Sequence, residues 1–360
     1  MSEYFINKDI SLAKTLPGRF YQDKEVFKKI IKTAFKTSWQ LVGHKSLLPE
    51  NGCCYPFELL KDSISEPLIL VREEEGINCL SNVCTHRGKI LVENPGKFKF
   101  ISCGYHGRCF NLNGSLRSMP EFKEVKDFPS ANDHLSKLPV RELGIFLFTS
   151  LSPEIEFEKI FKPILERMSW FPFDKLQYSS ENAATYHINA HWTLYCDNYL
   201  EGFHVPFVHP ALDACLDYDN YDTILYDYCN LQLGVAEEGN ICFEIPENAE
   251  DFGKKIYAYY WWVFPNLMIN IYTWGISVNI VEPINMRETR VRFQTYFLEG
   301  KESEFSKELL HHTEMEDEQI VNSVQKGLSS QLYKEGRFSV KREKGVHHFQ
   351  SLLVSTLNEK

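Results

Sequence analysis

The sequence predicts an α+β protein made of a small all-β unit and a larger unit in which helices cover an antiparallel sheet. Two observations carry that prediction. From Trp39 to Ser150, short runs of strand-forming residues are separated by turns. From residue 151 onward, helical and strand-like segments follow one another without the regular beat of a doubly wound sheet. The chain has 360 residues, 43% of them hydrophobic and 24% charged, which is ordinary globular composition and enough for about two domains.

Residues 1–38 read as a helical arm that packs on the larger unit. Within it, DKEVFKKIIKTAFKT (23–37) puts Val26, Phe27, Ile30, Ile31 and Phe35 at helical spacing. The small unit spans 39–150 and carries the strand-like runs WQLVGH, CYPFELL, LILVREEEGINCL, FKFISC and RELGIFLFTS, with Ser152–Pro153 as the junction. The larger unit spans 151–360. FEKIFKPILERM is helical, and ENAATYHINAHWTLYCDNYL starts as strand and turns helical near Trp192. ICFEIP, IYAYYWWVF, LMINIYTWGISVNIVEPI and TRVRFQTYFLEG read as strands, and SKELLHHTEMEDEQIVNSVQKGLSSQLY returns to helix.

The formal net charge is −10 with no Lys/Arg block, which argues against nucleic acid or an anionic membrane as partner. Residues 256–281 hold no Asp, Glu, Lys or Arg, but Pro265, Asn266, Asn270 and Asn279 interrupt them. Two buried strands joined at Phe264–Pro265–Asn266 fit better than a spanning helix. The start, MSEYFINKDISLAK, lacks a secretory pattern, so the ten cysteines are expected as reduced thiols in a cytoplasmic protein.

Two short Cys/His pairs stand out. Residues 84–86 read Cys-Thr-His and 103–106 read Cys-Gly-Tyr-His. Two thiolates, Cys84 and Cys103, can hold one iron of a [2Fe–2S] cluster, and two imidazoles, His86 and His106, the other. Gly88, Gly104 and Gly107 suit tight loops whose N–H groups point at sulfur. The competing reading is structural zinc, which usually pairs Cys with Cys and His with His. CTHRG followed by CGYHGRCFNLNG resembles the cluster loops of Rieske proteins, departing at Gly104 and Arg108, where many members carry Pro and Trp.

A second motif, DNYLEGFHVPFVH (197–209), places His204 and His209 five apart, about 140° around a continuous helix. Pro206 should end the helix near His204 and let the chain turn His209 toward the same metal. Two His and one carboxylate make the facial triad of non-haem Fe(II) oxygenases. The third ligand is expected at the start of a helix over 313–328, with Ile320, Val321, Val324 and Leu328 as its buried face and Asp317 in its first turn. The residues alone do not separate Asp317 from Glu314, Glu316 or Glu318.

The 197–209 segment resembles the ferrous-iron motif of Rieske oxygenases, including Asn198, Tyr199, Glu201 and Gly202. The resemblance implies a larger unit of helix-grip (START-like) type and selects Asp317 as ligand, with Glu316 second. It also implies that Glu201 orients the iron ligands and links them to His106 of a neighbouring subunit in a head-to-tail homotrimer. Asp197 is a secondary member of that network. With no G-x-G-x-x-G fingerprint and no second cysteine cluster, electrons from NAD(P)H must arrive through a separate flavin or iron–sulfur reductase, with O2 as co-substrate.

The C-terminal third, MEDEQIVNSVQKGL through GVHHFQSLL, is similar to choline, carnitine and glycine betaine monooxygenases, which implies a small quaternary ammonium substrate. Two or three of Tyr199, Phe203, Phe207, Tyr259, Trp261, Trp262, Phe264, Tyr272 and Trp274 are expected as pocket walls. Ring hydroxylation is the alternative, and an iron–sulfur carrier without oxygenase activity a remoter one. His187, His191, His347 and His348 are read as structural or surface residues.

Overall fold

A computed structural model of the chain describes residues 4–358. They divide into two compact units, Trp39–Pro153 and a second formed by 4–38 with 154–358. The arm opens with α1 (Lys24–Ile30), whose N-terminus is capped by Asp23 accepting from the N–H groups of Glu25 and Val26. The helix then widens into a π-type turn over Ile31–Phe35, which buries Ala34 and Phe35.

The unit Trp39–Pro153 is all-β. It contains β1 (Gln40–His44), β2 (Cys53–Leu59), β3 (Glu66–Glu73), β4 (Gly76–Ser81), β5 (Gly96–Lys97), β6 (Ile101–Ser102), β7 (Cys109–Phe110), β8 (Leu116–Ser118), β9 (Lys137–Leu138), β10 (Val140–Leu143) and β11 (Phe146–Thr149). They pair as three antiparallel sheets, in the orders β5-β2-β3-β4-β9, β1-β11-β10 and β6-β7-β8. Ile69, Val71, Leu80, Ile101 and Phe110 share one apolar cluster with Cys84 and Cys103, so the core sits directly beneath the two cysteine loops. Two runs that read as single strands are hairpins, β3–β4 and β10–β11, the latter turning at Gly144 with φ +57°.

The second unit continues with α2 (Phe157–Arg167), β12 (Gln177–Ile188), α3 (Trp192–Tyr199), α4 (Val205–Val208), α5 (Pro210–Asp213), β13 (Asp222–Leu225), β14 (Cys229–Val235), β15 (Ile256–Val263), β16 (Leu267–Tyr272), β17 (Gly275–Asn285), β18 (Glu288–Phe297), α6 (Lys307–Gly327) and α7 (Lys344–Asn358). Its strands form one seven-stranded antiparallel sheet, β12-β18-β17-β16-β15-β14-β13. The register aligns Gln232, Tyr260, Asn270 and Ser277 across four strands, which puts them on one face. That face meets α3, where the Tyr199 hydroxyl donates to Asn270 Oδ1 at 2.7 Å, and α7, where Trp262 packs on Phe349. The opposite face meets α2, with Cys229 Sγ 3.6 Å from the Ile160 carbonyl.

Three expectations need correction. ICFEIP is not a strand: its Phe243 N–H bonds the Ile256 carbonyl, but no ladder follows. The uncharged stretch 256–281 holds β15, β16 and the start of β17 rather than two strands, and no helix among the described residues is long and apolar enough to cross a membrane. The last helical stretch ends at Gly327, and a separate α7 follows. All ten cysteines are free.

Candidate metal centres

The two cysteine loops repeat one hydrogen-bond pattern. The Cys84 N–H donates to Lys89 O at 2.8 Å, and its carbonyl accepts from Gly88 N–H at 3.0 Å. The Cys103 N–H donates to Arg108 O at 2.8 Å, and its carbonyl accepts from Gly107 N–H at 3.0 Å. Gly88 and Gly107 take φ +72° and +73°, a region that L side chains avoid. Gly104, expected to serve the same purpose, has no positive φ.

These loops turn backbone N–H groups onto sulfur: those of His86 and Arg87 onto Cys84, those of Tyr105 and His106 onto Cys103. Burial raises the Cys84 thiol. Burial acts the same way on Cys103, but the N–H groups prevail and lower it. The two thiols face each other, and the His86 and His106 rings meet edge-on with centroids 4.7 Å apart. Sulfur donors and nitrogen donors are thus sorted into two pairs. These residues do not form a group of three or more with ligand atoms all within 4.8 Å, as one tetrahedral zinc would require. The buried His86 Nδ1, which has no partner in the chain, completes a donor set that fits a two-iron cluster. The departure at Arg108 is accommodated by an ion pair between its buried guanidinium and the half-buried Asp133. Its guanidinium donates to Asp133 Oδ1 at 2.6 Å and lies over the Phe110 and Phe128 rings. Ser130 N–H and Arg108 together hold the Asp133 carboxyl down at about 2.

In the second unit, α3 ends at Tyr199, short of His204. A turn follows, closed by the Glu201 carboxylate, which accepts from the N–H groups of Phe203 and His204. The chain then forms α4, breaks at His209 (φ −119°, ψ 70°) and enters α5. Pro206 and Pro210 sit in the first turns of α4 and α5, where a missing N–H costs nothing. Two breaks, rather than the single one expected at Pro206, bring the histidines together with their Nε2 atoms 3.2 Å apart. Asp317 of α6 places Oδ1 3.0 Å from His209 Nε2 and 3.5 Å from His204 Nε2. These three form the metal-competent group among the described residues.

The outer ring nitrogens are also held. His204 Nδ1 donates to Glu201 Oε1 at 2.8 Å, and His209 Nδ1 donates to Glu316 Oε2 at 2.7 Å. Each carboxylate keeps a proton on Nδ1 and leaves the Nε2 lone pair turned toward Asp317. Glu316, the second choice for ligand, therefore stands behind a histidine instead of in the group.

Asp317 is not in the first turn of its helix. α6 starts at Lys307, so the helix dipole does not place the carboxylate; packing does. The buried face is also rotated from the expected one: Glu314, Val321, Gln325 and Leu328 are buried, whereas Ile320 and Val324 are exposed. The polar residues on that inner face have separate reasons: Glu314 borders a cavity, and Gln325 accepts from the His191 N–H at 2.7 Å. Asp197 does not border the cavity. Its carboxylate accepts from Gln350 Nε2 of α7 at 3.0 Å, and burial pushes it up to about 8.

The cavity has a volume of about 1110 Å³ including its solvent-open part, a size for a small molecule. His204, His209 and Asp317 border it, as do Asn198 and Glu201. Of the nine aromatics singled out in the sequence, Tyr199, Tyr272 and Trp274 line it. Tyr259 and Trp261 point to the opposite sheet face, Trp262 packs on α7, and Phe203 and Phe207 are exposed. Tyr221, Tyr257, Tyr260, Phe293 and Phe305 line it without having been singled out. Strand alternation through Trp262 could have flagged Tyr260; nothing local flags Tyr221. None of His187, His191, His347 and His348 lines it. His191 is enclosed by the rings of Phe20, Tyr21 and Phe27, and burial lowers it to about 3.

Comparison with known proteins agrees with this layout. Residues 173–359 match the ring hydroxylating alpha subunit (catalytic domain) family, and residues 38–129 match the Rieske [2Fe-2S] domain. The chain is 31% identical over 367 residues to the chloroplastic choline monooxygenase of Arabidopsis thaliana, covering 96% of this chain and 83% of that one. It is 29% identical over 367 residues to the carnitine monooxygenase oxygenase subunit of Escherichia coli, covering 96% and 95%. The fold is shared with the quaternary ammonium Rieske monooxygenase CntA in complex with L-carnitine (TM-score 0.80, 24% identity, 99% of both chains). It is shared as well with naphthalene 1,2-dioxygenase from Rhodococcus sp. (TM-score 0.74, 18% identity, 95% and 94%). Carrying a cluster domain and an iron-binding catalytic domain in one chain, and matching its relatives over nearly its whole length, the protein belongs to the Rieske non-haem iron oxygenases.

Proposed function

We propose that this oxygenase oxidises a small quaternary ammonium compound at a C–H bond beside the nitrogen, with electrons from a separate NAD(P)H-dependent reductase. The observation that carries the reading is the His204–His209–Asp317 group opening onto a cavity walled by Tyr199, Tyr260, Tyr272 and Trp274. When bound, the cluster supplies single electrons and the ferrous ion supplies dioxygen chemistry. The chain's own residues do the rest. Cys84, Cys103, His86 and His106 hold the cluster, and Glu201 and Glu316 orient the two iron-binding imidazoles. The aromatic walls favour a methylated cation at about 0.5–2 kcal/mol per ring. Relatives named for choline and carnitine oxidation support the substrate class.

Glu201 keeps one oxygen on His204 Nδ1 and the other on backbone N–H groups. That supports a role in positioning His204; the link from Glu201 to His106 of the partner subunit in a head-to-tail trimer is what the family resemblance adds to this proposal.

Anaerobic reconstitution tests the metal assignment. The wild type should hold about three irons and two acid-labile sulfides per chain. Asp317→Ala should fall to about two irons with an unchanged cluster spectrum. A variant that kept the third iron would reject Asp317 as ligand, and wild-type protein without labile sulfide would reject the whole reading.

A further inference from the structure

We propose that Arg108 tunes the [2Fe–2S] cluster: its buried guanidinium favours the reduced cluster and so raises the reduction potential, while Asp133 limits that rise. The proposal rests on the cluster assignment above and is independent of the substrate.

Arg108 is tied to both ligand loops. Its backbone carbonyl accepts from the Cys103 N–H at 2.8 Å. Its guanidinium donates to Asp133 Oδ1 at 2.6 Å and to the Asp133 carbonyl at 3.2 Å. That same carbonyl accepts at 2.9 Å from the hydroxyl of Thr85, which stands between Cys84 and His86. The positive charge is therefore fixed with respect to the sulfur and nitrogen ligands and does not swing out to solvent as a surface cation does. Ring contacts also join it to His86. The guanidinium lies 5.4 Å from the Phe128 ring centre, Phe128 is 4.8 Å from Phe122, and Phe122 meets His86 edge-on at 5.6 Å. Apolar surroundings of this kind screen a charge far less than water does.

The pair does not cancel. The Arg108 side chain is 2% exposed and that of Asp133 20%, so water screens the acid more than the guanidinium. Arg108 Nε is buried without a partner in the chain, which leaves part of the cation uncompensated. Asp133, by contrast, is fully engaged: Oδ1 accepts from Arg108, and Oδ2 accepts from the N–H and the hydroxyl of Ser130. Arg87 and Lys89 bring further positive charge to the first loop, but Arg87 is exposed and Lys89 pairs with Glu93 at the surface, where such charges count for little. Reduction adds one negative charge to the cluster, and cluster potentials follow the charge around them. A buried cation stabilises the added electron, and the acid beside it offsets part of that gain. A higher potential makes the cluster easier for a donor to fill and leaves less driving force for the onward step to the iron. Arg108 and Asp133 together set that balance.

Redox titration of the reconstituted full chain, followed by the visible absorption of the cluster, tests this without turnover. At a fixed potential, Arg108→Gln should shift the ratio of reduced to oxidised cluster at least ~3-fold toward oxidised, which is about 28 mV downward at about 59 mV per tenfold for one electron. Asp133→Asn should shift the ratio at least ~3-fold the other way, and the asparagine keeps an oxygen for the guanidinium, so the tie between the loops survives the loss of charge. Arg108→Lys keeps the charge and should stay nearer to wild type than to Arg108→Gln. Opposite signs are the mark of fixed charges; a loosened loop would move both variants the same way. Shifts of like sign, or a shift under ~3-fold in either variant with its labile sulfide intact, would overturn the proposal. So would an Arg108→Lys value equal to that of Arg108→Gln. If Arg108→Gln does not assemble the cluster, the direction and size of the Asp133→Asn shift decide alone. Loss of the cluster in both variants would show that the pair serves assembly instead of tuning, and would overturn the proposal as well. Wild-type protein without labile sulfide would reject the cluster assignment itself, a different failure.

Discussion

The two metal sites are built by different means. The residues proposed to hold the cluster lie between positions 84 and 106, on two loops that fix their own geometry through backbone hydrogen bonds. The mononuclear group joins positions 204 and 209 to 317, and its geometry is set by side chains: Glu201 behind one histidine and Glu316 behind the other. The glycines mark the same contrast. Gly88 and Gly107 serve a backbone conformation, at φ +72° and +73°. Gly202 serves space, since a Cβ there would come within 2.7 Å of the Tyr221 ring, a cavity wall. A site held by its backbone is a local property of the chain; a site held by carboxylates behind its ligands depends on the whole sheet-and-helix packing.

Removing a charge from behind a ligand should separate the two designs most sharply. Glu316→Gln should weaken ferrous-ion affinity about 10–100-fold, measured by competition with a coloured chelator, because the substituted amide no longer fixes and polarises the His209 ring. The cluster absorption should not change. An affinity within twofold of wild type would break the comparison, since it would mean that helix packing alone orients His209.

The converse experiment acts on the loops. Gly88→Ala and Gly107→Ala should each cost about 1–2 kcal/mol and hasten thermal bleaching of the cluster, because the added Cβ is strained at positive φ. Gly104→Ala is the control: its φ is not positive and no atom lies within 4 Å of the Cβ position, so it should be nearly silent. Equal effects at all three glycines would show that loop flexibility, not the backbone conformation, matters.

The same division explains what was legible in the sequence. Ligand identity and spacing are local at the cluster, so the C-x-H and C-x2-H pairs pointed to Cys84, His86, Cys103 and His106 directly. His204 and His209 were legible as a pair, but the reason given for their meeting was incomplete: one proline was invoked where two helix breaks act. Asp317 was reached through resemblance, and the dipole argument offered for it failed because α6 begins ten residues earlier. Glu316 was read as a rival ligand because sequence distance cannot say which ring nitrogen a carboxylate meets. The apolar period of α6 misled as well, since Ile320 and Val324 face outward while Glu314 and Gln325 face inward. Hydrophobic patterning assumes an apolar interior, and it fails where the inner face meets a cavity, as at Glu314, or caps a buried backbone N–H, as Gln325 does for His191.

The smallest expected effect concerns an acid that sits in the iron motif but is bonded to the C-terminal helix. Asp197 lies on α3 seven residues before His204, yet it is bonded to Gln350 of α7 and pushed up to about 8, chiefly by burial and against the pull of Gln350. The folded state therefore holds a proton that the unfolded chain releases in the ordinary aspartate range. The resulting stabilisation is full below that range, declines as pH rises, and is gone once pH passes about 8. Asp197→Asn removes this dependence. Its melting temperature should gain on the wild type between pH 5 and pH 8.5, by roughly 2–4 °C for each kcal/mol recovered. Iron and cluster content at saturation should stay unchanged. Parallel melting curves across that range would mean that Asp197 is ionised in the folded protein, and would place it electrostatically with Glu201 on the iron side of the comparison rather than with the α3–α7 packing.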